Sequence, residues 1–243
     1  LKPLLLNSKK IVTSRTKDKL IEAQKQGIKI ALASGRPTQG MLSLAKELEM
    51  DKYEGFLVSY NGSSVYDVKT KEVLFNQGIP TDLANEILTH LSDFDIVPMV
   101  DRGKYMYVNN AFFDIQFDIP TGFKNIVEYE VRGGDFKVCE VDDYSTVVKD
   151  PVNKILVAGN PSYLIDYFSA MTEPFRKNTT SAFSAPFYFE FTDYGIDKAR
   201  ALHEVFPKMG IHPENMVAFG DRQNDLSIIE YAGLGVAMGN AVP

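Results

Sequence analysis

Two segments of this sequence place polar side chains where a phosphate group could be bound. Ser34-Gly35-Arg36 directly follows an apolar run, and the serine hydroxyl and the N–H groups of such a loop suit phosphate oxygens. Lys198 falls at the start of a predicted helix, where a lysine is unfavourable unless an anion lies nearby. Phosphate binding is therefore one interpretation of each segment, while a structural turn after the strand and a solvated surface charge are the alternatives that each segment, taken singly, favours. Asp197 is assigned as the N-cap of the helix.

The third polar segment follows another apolar run and ends in Asn224-Asp225. Asp221 and Asp225 are four residues apart, a spacing that puts both carboxylates on one face if a helix begins early. A carboxylate at the end of a strand can hold Mg²⁺, which prefers oxygen ligands and keeps several waters. Asn224 can donate a hydrogen bond to a phosphate or orient a carboxylate. A capped helix start with solvated acidic residues is the structural alternative.

Alternating strands and helices at the two ends of the chain are expected to position these segments. Buried strands are predicted at 28–33, 56–59, 216–219 and 234–238, and helices at 16–26, 41–48, 197–206 and 224–231. An open α/β sheet binds its ligands at the carboxyl ends of its strands, where the polar segments fall. Short aromatic-rich strands between them indicate an inserted α+β module. We predict a core of residues 1–79 and 187–243 with an insert of residues 80–186.

The composition is that of an ordinary globular protein and excludes several classes. The 243 residues are 44% hydrophobic, and 26 Lys+Arg stand against 32 Asp+Glu, so neither disorder nor a basic nucleic-acid-binding surface is expected. No apolar run is long enough for a transmembrane helix. Cys139 is the single cysteine, which excludes an intramolecular disulfide and a cysteine-rich zinc site. We expect a cytoplasmic protein, a monomer or a weak homodimer, that binds neither nucleic acid nor a membrane.

The same segments resemble the motifs of the haloacid dehalogenase (HAD) superfamily, in particular its Cof-type sugar-phosphate phosphatases with a class IIB cap. The matching segments are Leu32-Ala33-Ser34-Gly35-Arg36-Pro37 for the second motif, Gly195-Ile196-Asp197-Lys198 for the third, and Gly220-Asp221 through Asn224-Asp225 with residues 233–241 for the fourth, while Asn61-Gly62 and Lys154-Ile155-Leu156 match other favoured places. The resemblance implies an α/β fold: a Rossmann-like core with a parallel sheet and an inserted α+β cap of C2B type. It also implies Mg²⁺-dependent hydrolysis of small phosphate monoesters, with sugar phosphates as the usual substrates.

The resemblance also assigns roles to individual residues. One aspartate of the family's first motif attacks phosphorus to form an aspartyl-phosphate, and a second protonates the leaving alcohol. Lys198 and Asp221 are expected to be catalytic, with Asp221 as a ligand of Mg²⁺ and Asp225 orienting Lys198 or a metal-bound water. The residues expected to bind the phosphate are Ser34, Gly35, Arg36, Lys198 and Asn224. The insert is expected to act as a lid that excludes water and contacts the leaving group.

The first motif, Asp-x-Asp-Gly-Thr, does not occur in this sequence. It should precede Leu5-Leu6-Asn7-Ser8, but no Asp or Glu occurs before Asp18. Either residues are omitted near Pro3-Leu4 and after Pro243, or the protein is a catalytically inactive regulator that binds phosphate or a sugar phosphate. Packing favours the omission, because the missing stretch includes a central strand of a parallel sheet that is buried on both faces.

A nucleotide-binding module and a phosphomutase are further alternatives to a phosphatase or an inactive regulator. A nucleotide-binding α/β module without transfer chemistry is disfavoured, because the sequence has no Gly-rich phosphate loop that ends in Lys-Ser/Thr. A phosphomutase of the same superfamily stays open, since a cap that returns the intermediate cannot be recognised from sequence.

Overall fold

A computed structural model describes residues 4–7, 9, 11–115 and 125–241 of the chain. The described residues form two compact units, each with its own hydrophobic core. Unit 1 contains the residues up to Asn76 and those from Ile196 onwards, and unit 2 contains those of Gln77–Gly195. No helix in these described ranges is both long enough and apolar enough to cross a membrane.

The helices and strands alternate at both ends of the chain, as the sequence predicts. In chain order they are α1 (Ser14–Lys25), β1 (Ala31–Ala33), α2 (Gln39–Glu47), β2 (Phe56–Ser59), β3 (Ser64–Asp67), β4 (Val73–Asn76), α3 (Thr81–Leu91), β5 (Val97–Arg102), β6 (Tyr105–Val108), α4 (Ile126–Gly134), β7 (Lys137–Glu140), β8 (Ile155–Ala158), α5 (Pro161–Thr172), β9 (Thr179–Ala185), β10 (Tyr188–Asp193), α6 (Lys198–Val205), β11 (Val217–Gly220), α7 (Leu226–Tyr231) and β12 (Leu234–Ala237). Besides the elements given above, the sequence predicted hairpin strands at 64–67 and 73–76, helices at 82–91 and 163–171, and strands at 105–108, 136–138, 154–157 and 187–192, but it did not predict β5, β9 or α4.

The described part of unit 1 contains two sheets that share a core. β1, β2, β3 and β4 lie side by side in this order, with β1 parallel to β2, and β11 pairs in parallel with β12. Phe56 and Val58 of β2 pack in one cluster with Leu202 of α6 and Ile228 of α7. Every residue of β2 is buried, as its continuous apolar sequence predicts for a strand covered on both faces.

Two parallel strands of unit 1 have an open edge. Among the described residues, β1 pairs only with β2, and β11 pairs only with β12. The sequence predicted buried strands here, but Ile28 is 57% exposed, Val217 is 55% exposed and Phe219 is 51% exposed. This prediction of burial was wrong for these side chains, because no described element covers them. Apolar strands of a parallel sheet are normally covered on both faces.

Unit 2 is built on one six-stranded sheet with the strand order β7-β6-β5-β8-β10-β9. α3 and α5 contribute Ile87 and Leu164 to a core on one face, which also contains Val157 of β8. α4 contributes Ile126 to a second core, which contains Leu156 of β8. Because neighbouring residues of a strand point to opposite faces, the two cores lie on opposite sides of the sheet.

The bounds of unit 2 differ from those of the predicted insert. The sequence assigned residues 187–195 to the core, whereas in the structure β10 pairs with β8 and with β9 and therefore lies in unit 2. Aromatic and β-branched strands predict a sheet but not which sheet they join, since the pairing partner is distant in sequence.

A buried ion pair lies in the sheet of unit 2. Lys154 Nζ is 3.1 Å from Glu190 Oε2, and the two side chains are only 9% and 11% exposed. Burial opposes the charge of the ammonium group, but the carboxylates of Glu190, Glu130 and Asp101 outweigh burial and raise the pKa of Lys154. Removing one partner of such a pair leaves an uncompensated buried charge, so each side chain depends on the other.

Candidate functional site

The loop that follows β1 is fixed by hydrogen bonds. Ser34 is buried, its N–H donates to the Val58 carbonyl oxygen at 2.8 Å, and its Oγ accepts from the N–H of Arg36 at 3.2 Å. Because β1 and β2 are parallel, the loop lies at the carboxyl end of both strands. Open α/β sheets bind their ligands at this edge.

The turn that follows β2 contacts this loop directly. The N–H of Asn61 donates to the Ser34 carbonyl oxygen at 3.0 Å, and the N–H of Tyr60 donates to the Arg36 carbonyl oxygen at 3.0 Å. Gly35 lies against the Asn61 side chain, since a Cβ at Gly35 would be 2.9 Å from Asn61 Oδ1. A side chain at position 35 would therefore displace the Asn61 amide from its position against the loop.

Lys198 is the first residue of α6, and it is buried with 3% of its surface exposed. Its Nζ lies 2.5 Å from Asp225 Oδ1. Asp197 is the N-cap, as the sequence predicts, because its Oδ1 accepts from the N–H of Arg200 at 2.9 Å. The burial excludes a solvated surface charge, the alternative that the sequence left open for this lysine.

Asp225 joins Lys198 to the loop that follows β11. Its Oδ2 accepts from the N–H of Asp221 at 3.2 Å and from the N–H of Arg222 at 3.3 Å. Burial opposes ionisation of this carboxyl group, but the hydrogen bond and charge of Lys198, together with the two N–H groups, outweigh burial and lower the pKa of Asp225. Both oxygens are thus engaged within the protein, so the geometry fits a group that orients Lys198 better than a metal ligand.

Asp221 is the carboxylate of this site that fits a metal ion. It is buried at the end of β11, and its Oδ2 accepts from Asn240 Nδ2 at 3.2 Å. The described residues include no group of three or more His, Cys, Asp or Glu side chains that could hold a metal. Mg²⁺ is commonly held by one or two carboxylates and several waters, and a single buried carboxylate at the end of a strand is compatible with such a site.

Asn224 completes the connections between the three polar segments. Its Nδ2 donates to Asn61 Oδ1 at 3.1 Å, which links it to the loop containing Ser34. Asp225 meanwhile links Asp221 to Lys198. The structure therefore brings all three segments into one connected site of unit 1.

Sequence reasoning gave no role to Asn61, Gly62 or Asn240, although all three contact the site. Asn61 and Asn240 make the hydrogen bonds described above, and a Cβ at Gly62 would overlap the Asp197 carbonyl oxygen. The sequence signal was present in part, since the Asn61-Gly62 turn comes one residue after a buried strand and therefore falls at the ligand-binding edge.

Fold and site together define a class of protein. An α/β core with parallel strands gathers a hydroxyl, a buried ammonium group and a carboxylate suited to a cation at the carboxyl ends of those strands, an arrangement suited to phosphoryl transfer. A model of the haloacid dehalogenase-like hydrolases matches residues 4–243. The chain belongs to this family, which confirms the predicted class of enzyme, a HAD-type hydrolase of the phosphatase kind.

Individual relatives support the same family and fold. The chain is 28% identical over 247 residues to "Putative phosphatase YxeH" of Bacillus subtilis (strain 168), covering 98% of this chain and 85% of the relative. It is 34% identical to a haloacid dehalogenase-like hydrolase from Bacteroides thetaiotaomicron, with a TM-score of 0.87 over 98% of this chain and 85% of that one. The HAD subclass IIB sugar phosphatase BT4131 is 19% identical with a TM-score of 0.71, over 98% and 85% of the two chains, and shares the fold. The predicted core with a class IIB cap is confirmed.

Proposed function

We propose that the protein is a Mg²⁺-dependent phosphatase that hydrolyses small phosphate monoesters, sugar phosphates in particular, through an aspartyl-phosphate. The observation that carries this proposal is the buried Lys198, held by Asp225 at the positive end of α6 and connected to the loop of Ser34. A buried ammonium group in this position is suited to an anion. The choice of sugar phosphates as substrates is supported by BT4131, a protein of the same fold that is a sugar phosphatase.

Four groups of the chain would bind the phosphoryl oxygens. These groups are the Lys198 ammonium, the Ser34 hydroxyl, the loop N–H group of Gly35 and the Asn224 amide, since the N–H of Arg36 already donates to Ser34 Oγ. Each is held in place by described contacts before substrate arrives, so little reorganisation is needed as charge redistributes in the transition state. Asp225 holds the Lys198 ammonium in position through their hydrogen bond.

Asp221 would hold Mg²⁺, and Asn240 would fix the orientation of its carboxylate through the 3.2 Å hydrogen bond. When bound, Mg²⁺ would supply charge neutralisation at the phosphoryl oxygens. Loss of Asn240 would then weaken the site without removing a ligand.

The attacking carboxylate is not among the described site residues. We propose that it is an aspartate of the first motif that characterises the family. A carboxylate oxygen of this aspartate bonds to phosphorus as the ester P–O bond breaks, and the leaving alkoxide takes a proton from a second carboxyl group. Water then attacks phosphorus and breaks the new P–O bond while its proton returns to the second carboxylate, which releases inorganic phosphate and restores both carboxyl groups.

A catalytically inactive phosphate-binding regulator is the second candidate. The absence of any Asp or Glu before Asp18 favours it. The two candidates share the phosphate site and differ only in turnover. The role of unit 2 in substrate selection, a cytoplasmic location and a monomeric or weakly dimeric state stay predictions.

A panel of phosphate esters separates the candidates. The protein is expected to hydrolyse sugar phosphates in the presence of Mg²⁺ and to lose this activity in EDTA, because the phosphoryl charge is then no longer neutralised. A regulator would instead bind inorganic phosphate without turnover. The measurement is phosphate release for each ester, with binding followed by calorimetry.

Matched substitutions test the assignment of the two catalytic groups. Lys198→Met and Asp221→Asn are each expected to lower turnover at least a hundredfold, the order of effect of a single preorganised group. Lys208→Met and Asp18→Asn replace exposed residues and should leave turnover unchanged. Wild-type turnover by either site variant contradicts the assignment, and absence of turnover in the natural protein with every ester favours the regulator.

A further inference from the structure

A run of three residues with positive φ lies at the centre of the site. The φ angles are 51° at Tyr60, 57° at Asn61 and 104° at Gly62. Glycine adopts such angles freely and asparagine tolerates them, whereas a bulky tyrosine does so only under constraint. A backbone conformation of this kind persists where the surroundings hold it, and such places are often functional.

The surroundings that hold this turn are the two other segments of the site. The N–H groups of Tyr60 and Asn61 donate to carbonyl oxygens of the loop after β1, each at 3.0 Å. Gly62 lies against the start of α6, where an added Cβ would overlap the Asp197 carbonyl oxygen and lie 3.0 Å from the Cα of Lys198. The turn is therefore packed between the serine loop and the lysine helix.

The side chain at the centre of this run makes the third connection. Asn61 Oδ1 accepts a hydrogen bond from Asn224 Nδ2 at 3.1 Å, across 163 positions of sequence. Asn224 is exposed, so its amide would otherwise be free to rotate. One of its two amide hydrogens is used by Asn61, and the bond leaves the other in a fixed direction.

We propose that Asn61 is a positioning residue of the phosphate site, whose side chain orients the amide of Asn224 and whose left-handed backbone allows the turn to touch both other segments. The inference rests on the proposed function, because it takes Asn224 as a ligand of phosphate. A preoriented amide binds phosphate without first losing rotational freedom.

The backbone and side-chain parts of this role can be separated by substitution. Asn61→Gly removes the side chain and keeps the positive φ without strain, whereas Asn61→Ala removes the side chain and adds strain. Asn61→Gly is expected to weaken binding of inorganic phosphate about tenfold with no loss of thermal stability, and Asn61→Ala to lower the thermal midpoint as well. Glu49→Gly, at another residue with positive φ (56°), is the matched control and should leave phosphate binding unchanged.

A double-mutant cycle tests whether Asn61 acts through Asn224. The dissociation constant of inorganic phosphate is measured by calorimetry in Mg²⁺ for Asn61→Gly, Asn224→Ala and the double variant of the full protein. If Asn61 orients Asn224, the double variant binds phosphate no more weakly than Asn224→Ala alone. Wild-type affinity in Asn61→Gly, or a double loss equal to the product of the two single losses, overturns the inference.

The same titrations distinguish this failure from failure of the proposed function. Suppose that the wild type binds phosphate, that Ser34→Ala weakens this binding, and that Asn61→Gly leaves it unchanged. This combination refutes only the positioning role. If the wild type binds no phosphate, the proposed phosphate site itself is refuted, and the positioning role with it.

Discussion

The buried pair of Lys198 and Asp225 gives a quantitative prediction. The charges are 2.5 Å apart with 4% and 10% of the side chains exposed, so the gross attraction at an effective dielectric constant near 20 is about 6–7 kcal/mol. Desolvation of both ions offsets much of this attraction, and the net contribution of the pair is small. Removing one partner is different, since it leaves the other charge buried and unpaired.

The two single substitutions should differ because of the hydrogen bonds around Asp225. In the wild type, the two carboxylate oxygens of Asp225 accept hydrogen bonds from Lys198 and from two backbone N–H groups. Asp225→Asn keeps only one of these oxygens, so at least one of the buried donors loses its acceptor. We expect this variant to lower the free energy of unfolding by about 4 kcal/mol. Lys198→Met should cost less, about 2–3 kcal/mol, because the carboxylate keeps both N–H donors.

The double variant should recover much of the lost stability. With Met at position 198 and Asn at 225, no charge remains and the amide oxygen still accepts from the backbone N–H groups. We expect the double variant to be at least ~2 kcal/mol more stable than Asp225→Asn alone. Lys19→Met, at an exposed lysine whose Nζ lies 2.7 Å from Glu22, is the control and should leave stability unchanged.

Urea unfolding followed by far-ultraviolet circular dichroism measures these differences. The pH dependence supplies a second readout, because the pKa of Asp225 is lowered in the folded wild type. The stability that this group contributes is present above its unfolded pKa of about 3.9 and is lost as pH falls through the folded pKa. The gap between wild type and Lys198→Met should therefore narrow at low pH. Additive losses in the double variant would refute the reasoning.

Three further predictions concern other contacts. Asn240→Ala removes the 3.2 Å hydrogen bond to Asp221 and should raise the Mg²⁺ concentration needed for half-maximal phosphate release at least tenfold. Lys154→Met leaves its partner carboxylate buried and should lower the free energy of unfolding by about 3 kcal/mol at neutral pH. Because the pKa of Lys154 is raised, this difference in stability between wild type and variant should persist up to about pH 10.4 and shrink above it, as urea titrations would show. Tyr144→Phe removes a hydroxyl that donates to the buried Pro98 carbonyl oxygen at 2.5 Å and should cost about 1–2 kcal/mol in the same assay.

Local sequence determined most strands and helices of this protein. The strand Phe56–Ser59 and the hairpin strands Ser64–Asp67 and Val73–Asn76 begin and end where the sequence predicted. Apolar runs bounded by Asn-Gly and by polar turns are local signals, so they need no knowledge of the rest of the chain. The cap at Asp197 was predictable for the same reason.

Burial on the open side of unit 1 was decided only by the tertiary structure. Val217 and Phe219 belong to an apolar run that is typical of a buried strand, yet both are more than half exposed. Whether a strand is covered depends on which elements pack on it, and the sequence of the strand does not contain that information.

The partners within the site were likewise decided by tertiary contacts. The side-chain chemistry of Lys198, Asp221 and Asn224 predicted phosphate binding from the sequence alone. An ammonium group and an amide suit phosphate oxygens, and a carboxylate suits the Mg²⁺ that would accompany them. The hydrogen bonds of these three side chains to Asp225, Asn240 and Asn61 join residues that are 27, 19 and 163 positions apart. A side chain's chemical type is a property of the sequence, whereas its partner depends on how separate elements pack in three dimensions.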